Sequence, residues 1–208
     1  MHIPIAQPSL GNEESDAVLT VLASGMIAQG PVTAAFEEEF AAYCGIPHAV
    51  AVSNGTTALH AALLATGVGP GDEVVVPAFT FFATASSVSM CRARPVFADV
   101  EPATATIDPA DVLAKVSPKT KAVIGVHLYG QPCDAGAIRD LCDDKGLVFI
   151  EDAAQAHGAT YRGQKTGSLG DLACFSFYAT KNLATGEGGM VTTASSEYDA
   201  RLRRIINH

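Results

Sequence analysis

The sequence lacks the features that mark membrane and nucleic-acid-binding proteins. No apolar stretch reaches the length of a bilayer span, and the first residues show no signal-peptide pattern. Lysine and arginine number 13 against 22 aspartates and glutamates, which gives a net charge of -9, and no basic run offsets it. This balance predicts that the protein binds neither nucleic acid nor an anionic membrane surface.

Cysteine is sparse and irregularly spaced. The five cysteines are odd in number, and no two of them form a Cys-x-x-Cys pair. That spacing makes a metal site unexpected, so no metal is predicted. We predict reduced, mostly buried thiols in a cytoplasmic protein.

The chain also lacks internal repeats, low-complexity segments and linkers. Its 208 residues allow a large single core. A hydrophobic content of 48% with only 17% charged residues is typical of a globular protein rather than a disordered one.

Short apolar strands alternate with helices through most of the chain. Apolar spacing and turn residues predict helices at residues 12–24, 31–43, 58–66, 79–90, 109–115, 134–145 and 197–208. They predict strands at residues 48–52, 73–76, 95–99, 120–126 and 147–151. This alternation favours parallel pairing with helices covering both faces of the sheet.

The alternation of strands and helices ends after Asp152. Residues 158–170 form a glycine-rich stretch that predicts an irregular loop, and two strands come after it at residues 173–178 and 189–193. Their connection is too short for a helical crossover, which favours antiparallel pairing. The predicted fold class is therefore α/β, with three αβα layers around a mixed, mostly parallel sheet.

The first motif with chemical meaning is Ser-Asn-Gly-Thr-Thr at residues 53–57. A strand ends, a glycine turns the chain and a helix begins. Free backbone N–H groups and the helix dipole make such a start an anion site that suits phosphate. Taken alone, however, the motif favours ordinary helix capping by Asn54 or Thr56.

Two acids, Glu151 and Asp152, end an apolar strand. Open α/β sheets bind ligands at this end of their strands, and an aspartate there can pair with a cationic heterocycle. We interpret Asp152 as functional, and Glu151 as a solvated residue of the strand end that serves as a helix cap.

Lys181 lies among small, aromatic and hydroxyl residues. Residues 173–178 before it alternate like a buried strand, and three glycines come after it by Gly189. A partly desolvated lysine loses some of its preference for the charged form, and its amine can form a Schiff base with a carbonyl. Taken alone, the motif favours a surface lysine in a hairpin loop.

Together the three motifs suit pyridoxal phosphate. This cofactor needs a lysine for its aldehyde, an acid beside its pyridine nitrogen and an anion site for its phosphate. Ser176 precedes Lys181 by five residues, where its hydroxyl can face the same anion as the helix that begins near Thr56. An aromatic face is available at residues 79–82, although we interpret Phe79 and Phe82 as core residues.

Eight segments resemble, in order, the DegT/DnrJ/EryC1/StrS sugar aminotransferases, which are fold-type I pyridoxal phosphate enzymes. They are IAQPSLG (5–11), GMIAQGP (25–31), SNGTTAL (53–59), PAFTFFATA (77–85), PVFADV (95–100), HLYG (127–130), EDAAQAHGA (151–159) and FSF…K…GEGG (175–189). The resemblance covers essentially the whole chain.

The resemblance implies an aminotransferase. Lys181 corresponds to the lysine that forms the Schiff base and then moves a proton between the amino donor and the cofactor. Asp152 corresponds to the acid that keeps the pyridine nitrogen protonated. The implied reaction moves an amino group from an amino acid, usually glutamate, to a keto group of a nucleotide-linked sugar.

Five further positions match cofactor-binding positions of the family. Gln155 corresponds to the residue near the ring oxygen of the cofactor, and Phe81 to the aromatic side chain that stacks on the ring. Gly55, Thr56 and Ser176 correspond to the phosphate site. A homodimer is also implied.

Other functions stay open. A sugar dehydratase subgroup of the family carries histidine at the lysine position, and Lys181 argues against it. A regulatory or structural relative that binds the cofactor without turnover is a second alternative. A Rossmann nucleotide-binding domain would need Gly-x-Gly-x-x-Gly after its first strand, which residues 53–57 lack. We interpret His157 as a satisfied packing residue.

The resemblance assigns residues 1–208 to the cofactor-binding large domain, with N-terminal helices in 1–45 and an α/β core in 46–208. Members of the family are longer and carry a C-terminal small domain, which is absent from this chain. The last helical pattern has no Gly or Pro stop signal. We therefore expect this sequence to be part of a longer protein.

Overall fold

Seven strands form one mixed sheet in the computed structural model, which describes residues 6–207. The strands lie in the order β1-β9-β8-β5-β4-β2-β3. The sheet strands are β1 His48–Val52, β2 Glu73–Pro77, β3 Arg94–Ala98, β4 Thr120–Val126, β5 Val148–Asp152, β8 Leu172–Ser176 and β9 Gly189–Thr193. Only β9 runs against its neighbours, so the predicted mixed, mostly parallel sheet is confirmed.

Within residues 6–207, seven helices accompany the sheet. They are α1 Asn12–Ser24, α2 Pro31–Cys44, α3 Gly55–Ala65, α4 Ala83–Met90, α5 Pro109–Lys115, α6 Ala135–Lys145 and α7 Ser196–Ile206. A single 3₁₀ turn covers Leu128–Gly130. None of the helices in the described range is both long and apolar enough to cross a bilayer.

Alternate residues of the buried strands face two separate cores. Val74 and Val76 of β2 pack with side chains of α3, α4 and α7. Val75 between them packs with side chains of α5 and α6 on the opposite face. A third cluster joins α2 to β8 and β9 around Phe40. The predicted three-layer αβα arrangement is therefore confirmed.

Some predicted boundaries differ from the structure. Helix α3 begins at Gly55, three residues earlier than predicted, because Asn54 caps it there. Helix α4 begins only at Ala83, and the aromatic residues before it form a loop. The glycine-rich loop at residues 158–170 contains a short hairpin of β6, Thr160–Tyr161, and β7, Gln164–Lys165.

Two further predictions are tested by the strand pairing. The antiparallel pairing of β8 with β9 is confirmed. Strand β1, predicted within the parallel series, instead pairs antiparallel with β9 at the edge of the sheet.

All five cysteines are buried and free, as predicted. Residues 1–5 and 208, which include Ile5 of the IAQPSLG segment and the predicted end of the last helix, lie outside the described residues.

Candidate active site

A cavity of about 510 Å³ lies where β4, β5 and β8 end and α3 begins. All seven residues singled out from the sequence line it: Gly55, Thr56, Phe81, Asp152, Gln155, Ser176 and Lys181. They come from four separate segments of the chain, at residues 55–56, 81, 152–155 and 176–181. The fold therefore brings together every site residue that the sequence predicted.

Lys181 lies in a turn after β8 rather than in a strand. Its backbone N–H donates to the Tyr178 carbonyl at 2.8 Å, and the Ala179 N–H donates to the Gly186 carbonyl at 3.1 Å. Burial lowers the pKa of the Lys181 ammonium, and the Asp152 carboxylate opposes that shift. A larger fraction of Lys181 is therefore present as the neutral, nucleophilic amine than in open solvent.

Asp152 ends β5 between two neighbouring strands. It pairs with Val126 of β4 and with Cys174 of β8, so the sheet fixes its backbone on both sides. The buried carboxylate accepts a hydrogen bond from Thr84 Oγ1 at 2.8 Å. Burial raises the pKa of Asp152, while the Thr84 hydroxyl and the Lys181 ammonium act in the opposite direction.

The amino end of α3 borders the cavity with unused donors. Asn54 caps the helix as the alternative interpretation predicted, since its Oδ1 accepts from the Thr57 N–H at 2.8 Å. Within residues 6–207, the N–H groups of Gly55 and Thr56 have no acceptor. Capping and anion binding are therefore compatible here, because the cap leaves these two donors free.

Gly55 permits the close approach of α3 to β8. A Cβ atom at this position would lie 2.8 Å from Cβ of Ser176, which is too close for two carbon atoms. The missing side chain lets the Ser176 hydroxyl reach the amino end of α3. Two N–H donors and one hydroxyl consequently border the same part of the cavity.

Gln155 reaches the cavity with a defined amide orientation. Its Oε1 accepts from the backbone N–H of Tyr129 at 2.8 Å. Because a backbone N–H can only donate, the oxygen must face Tyr129, which leaves the Nε2 amide protons for a ligand. Tyr129 itself has a φ of 52°, a conformation that is uncommon for residues other than glycine.

The aromatic residues before α4 do not belong to the core. Phe81 lines the cavity and is 67% exposed, which leaves its ring free for a ligand. Phe79 and Phe82, interpreted as core residues, are 52% and 71% exposed, so that interpretation was wrong. They lie in the loop that precedes α4, outside any layer of the fold.

Glu151 is not a solvated strand end. Its side chain is completely buried, and it accepts backbone N–H bonds from Gly167, Leu169 and Gly170. His127 Nε2 donates a fourth bond at 2.9 Å, since its Nδ1 accepts from the Cys133 N–H. The predicted role as a capping, solvated acid was wrong, because the loop after β7 folds back over the carboxylate.

His157 packs as predicted but is not satisfied. Its ring lies 5.4 Å from the Phe175 ring and 5.6 Å from the Phe177 ring, between centroids. Neither buried ring nitrogen has a hydrogen-bond partner in the described part of the chain. Burial lowers the pKa of His157 to about 4, the Ser176 backbone opposes that shift, and the Lys181 ammonium adds to it.

The roles of two residues in this region were not predicted from the sequence. Thr84 touches the carboxylate of Asp152, and His127 holds Glu151. The only sequence signal for His127 was its place at the end of an apolar strand, in the HLYG motif. Thr84 lies in the PAFTFFATA segment, but nothing there distinguished it, since threonine is ordinary in a helix.

Comparison with known proteins identifies the family. The model of the DegT/DnrJ/EryC1/StrS aminotransferase family matches residues 8–208. The chain belongs to this family. The resemblance found in the eight motifs is thereby confirmed.

Individual members of the DegT/DnrJ/EryC1/StrS family are closely similar to this chain. The GDP-perosamine synthase of Caulobacter vibrioides is 50% identical over 205 residues, which cover 98% of this chain and 55% of that protein. The spore coat polysaccharide biosynthesis protein SpsC of Bacillus subtilis is 48% identical over 206 residues, covering 99% of this chain and 53% of that protein.

A solved structure agrees with the fold. S. venezuelae DesV, in complex with a ketimine intermediate, superimposes with a TM-score of 0.92 at 47% identity, covering 94% of this chain and 53% of that one. The present chain spans about half the length of the relatives it matches. The activity of the whole protein is therefore a matter for proposal.

Proposed function

We propose that this chain forms the cofactor-binding part of a pyridoxal phosphate-dependent aminotransferase that aminates a nucleotide-linked sugar. The observation that carries the proposal is that Lys181 and Asp152, 29 residues apart, line one cavity and influence each other's pKa. This cofactor requires an amine, a carboxylate and an anion site for its phosphate. Lys181, Asp152 and the amino end of α3 provide these three groups in one cavity.

The residues present fit the cofactor. The cradle at the start of α3 offers the unused N–H groups of Gly55 and Thr56 with the Ser176 hydroxyl, which together suit a phosphate. The glycine is required for that cradle, since a Cβ there would collide with Ser176. Asp152 has an acceptor oxygen for a protonated ring nitrogen at the wall of the same cavity.

Lys181 is the proposed catalytic residue. When bound, pyridoxal phosphate supplies an electrophilic carbonyl carbon and an electron-withdrawing ring. Lys181 would hold that carbon through its nitrogen, whose neutral, nucleophilic form burial favours. The same amine would serve as the base and acid that moves a proton from the α-carbon of the amino donor.

Asp152 and Gln155 hold the proposed ligand at two polar edges. The Asp152 carboxylate would keep a proton on the ring nitrogen, and that positive charge would stabilise the electrons released at the α-carbon. The Gln155 Nε2 group would donate to an oxygen on the other edge, since the Gln155 oxygen is occupied by Tyr129. Phe81 would cover one face of the ring.

The substrates, partners and domain assignment are also proposals. The names of two relatives point to a GDP-linked sugar and to polysaccharide synthesis, which supports a nucleotide-sugar acceptor. We propose glutamate as amino donor, residues 1–208 as the large domain and a cytoplasmic location. A homodimer is proposed for the protein, and a monomeric mass by light scattering at working concentration would contradict it.

An absorbance spectrum tests the proposed function. The 208-residue chain, loaded with pyridoxal phosphate, is expected to show a visible band that disappears on addition of glutamate while 2-oxoglutarate forms. The matched control is Lys181→Ala, which should bind the cofactor without the visible band. A spectrum that does not respond to glutamate, with 2-oxoglutarate absent, would contradict the aminotransferase and favour the regulatory alternative.

A further inference from the structure

Two hydroxyl groups, that of the buried Thr84 and that of the half-buried Thr80, connect the cavity wall to Asp152. Thr84, in the first turn of α4, has no exposed surface. Its Oγ1 lies 2.8 Å from Asp152 Oδ2 and 2.8 Å from Oγ1 of Thr80. Thr80 in turn lines the cavity. The three side chains form a continuous chain of hydrogen bonds.

The chemistry of the groups fixes the direction of this chain. An ionised carboxylate can only accept, and a threonine hydroxyl has one proton to donate. Thr84 therefore donates to Asp152, and its lone pair accepts the proton of Thr80. Both protons point toward the carboxylate, an arrangement in which each hydrogen bond strengthens the next.

Thr84 is the second residue of α4. A threonine farther along a helix can donate to the carbonyl four residues earlier, but the helix has no such carbonyl for Thr84. Its hydroxyl instead donates to a carboxylate 68 positions away in the sequence. Valine has nearly the same shape and would fill the space without a polar atom in the core. Packing alone therefore does not account for a hydroxyl at this position.

The Thr84 hydroxyl opposes the effect of burial on the pKa of Asp152, as the groups around this carboxylate show. Burial raises the pKa of Asp152, and Thr84 is the leading influence against it, followed by the Ala154 N–H, His127 and Lys181. The other titratable neighbours are Glu151, the preceding residue of β5, and Cys174 on the adjoining strand β8. Glu151 is already engaged with four donors of its own. Thr84 is thus the side-chain donor dedicated to Asp152.

We propose that Thr84 is a positioning residue that acts through Asp152, supported by Thr80, and keeps the carboxylate ionised and fixed at the cavity wall. The consequence for the ligand rests on the proposed function, because it is the cofactor nitrogen that requires an anion there. The effect on Asp152 itself does not depend on any cofactor, so the two can be tested separately.

The first test uses the chain without cofactor. Carbon-13 NMR of aspartate-labelled protein monitors the carboxyl of Asp152, whose signal is assigned by its loss in Asp152→Asn. Thr84→Val is expected to raise the titration midpoint by about one pH unit, since one hydrogen bond to the charged form is lost. Thr84→Ser keeps the hydroxyl and should titrate close to the unmodified chain.

A second variant covers the possibility that Thr84→Val does not fold. Thr80→Val leaves Thr84 in place and removes only the outer hydroxyl, so a smaller shift in the same direction is expected. An unchanged midpoint in a folded Thr84→Val, or in Thr80→Val where the first variant does not fold, would overturn the proposal.

The second test uses the chain with pyridoxal phosphate. Thr84→Val should bind the cofactor about tenfold more weakly, and the pH at which the visible absorbance of bound cofactor changes should differ from that of Thr84→Ser. Equal affinities and equal pH profiles would overturn the link to the ligand. If the unmodified chain itself binds no pyridoxal phosphate, the proposed function fails, while the NMR result still decides the role of Thr84.

Discussion

The side-chain oxygen of Gln155 accepts the backbone N–H of Tyr129 at 2.8 Å. This single bond decides which end of the amide faces the candidate active site. It also joins the turn after β4 to the segment after β5, the two elements that border Asp152. Loss of this hydrogen bond should therefore affect both ligand binding and stability, and the two effects can be measured separately.

Replacing Gln155 with Glu should separate these two effects. Glutamate retains an oxygen for the Tyr129 N–H but offers no donor to the ligand. We expect the Kd for pyridoxal phosphate to rise about 10- to 100-fold, the equivalent of about 1.5–3 kcal/mol for a hydrogen bond to a charged group. A fluorescence titration with the cofactor measures this Kd.

Gln155→Leu is the matched control, because it removes both bonds. It should weaken cofactor binding and also lower the thermal midpoint, whereas Gln155→Glu should leave the thermal midpoint close to that of the unmodified chain. Cofactor binding by Gln155→Glu with unchanged affinity would show that Nε2 makes no contact with the ligand.

Replacing the carboxylate by an amide should have different effects at the two adjacent acids of β5. At Glu151 it should lower stability, and at Asp152 it should lower the rate of the reaction. Glu151→Gln places amide protons against N–H donors from Gly167, Leu169 and Gly170 in a fully buried site. We expect the free energy of unfolding to fall by about 2–4 kcal/mol, because buried donors lose their acceptor. Urea denaturation measures the change.

Asp152→Asn serves as the comparison on the neighbouring residue. Its amide oxygen still accepts from Thr84, so stability should change by less than about 1 kcal/mol. The rate of the reaction with glutamate should instead fall by a factor of at least about 100. Equal losses of stability in the two variants would contradict the assignment of Glu151 to structure and Asp152 to function.

His157 should make stability depend on pH. Burial lowers its pKa from 6.5 to about 4, so between these values the unfolded chain binds a proton that the folded chain does not. By linkage, the contribution of His157 is fully present above pH 6.5 and is lost as the pH falls toward 4. The expected loss is about 1–3 kcal/mol.

Urea denaturation at pH 7 and pH 4 measures this effect as a difference between the unmodified chain and His157→Leu. The other histidines are common to both proteins, so the difference isolates position 157. Parallel pH profiles for the two proteins would mean that the His157 ring is already solvated or hydrogen-bonded in the folded state.

The fold was largely predictable because its signals are local. Runs such as Val74–Val76 indicate strands buried on both faces, and Asn54 was recognised as a possible cap of α3, although the helix start was predicted three residues too late. The position of Asp152 at a strand end was likewise visible in the sequence. Such patterns depend on neighbours in the chain and survive without knowledge of the tertiary structure.

The remaining contacts were not predictable, because they join distant segments. The donors to Glu151 come from residues 167–170 and from His127, and Thr84 meets Asp152 across 68 positions. The exposure of Phe79 and Phe82 was not predicted either, because a run of aromatic residues is typical of a protein core. Only the start of α4 at Ala83 places these two residues in a loop. The sequence could identify the residues of the candidate site but not those that hold them.

Borohydride reduction tests the central claim, which is that the Lys181 nitrogen bonds to pyridoxal phosphate in this cavity. The loaded chain is reduced, digested and analysed by mass spectrometry, with Lys181→Ala treated in parallel. The account predicts one phosphopyridoxyl group, attached to the peptide that contains Lys181 and absent from the variant. An unmodified Lys181 peptide, or stable modification of another lysine instead, would contradict it.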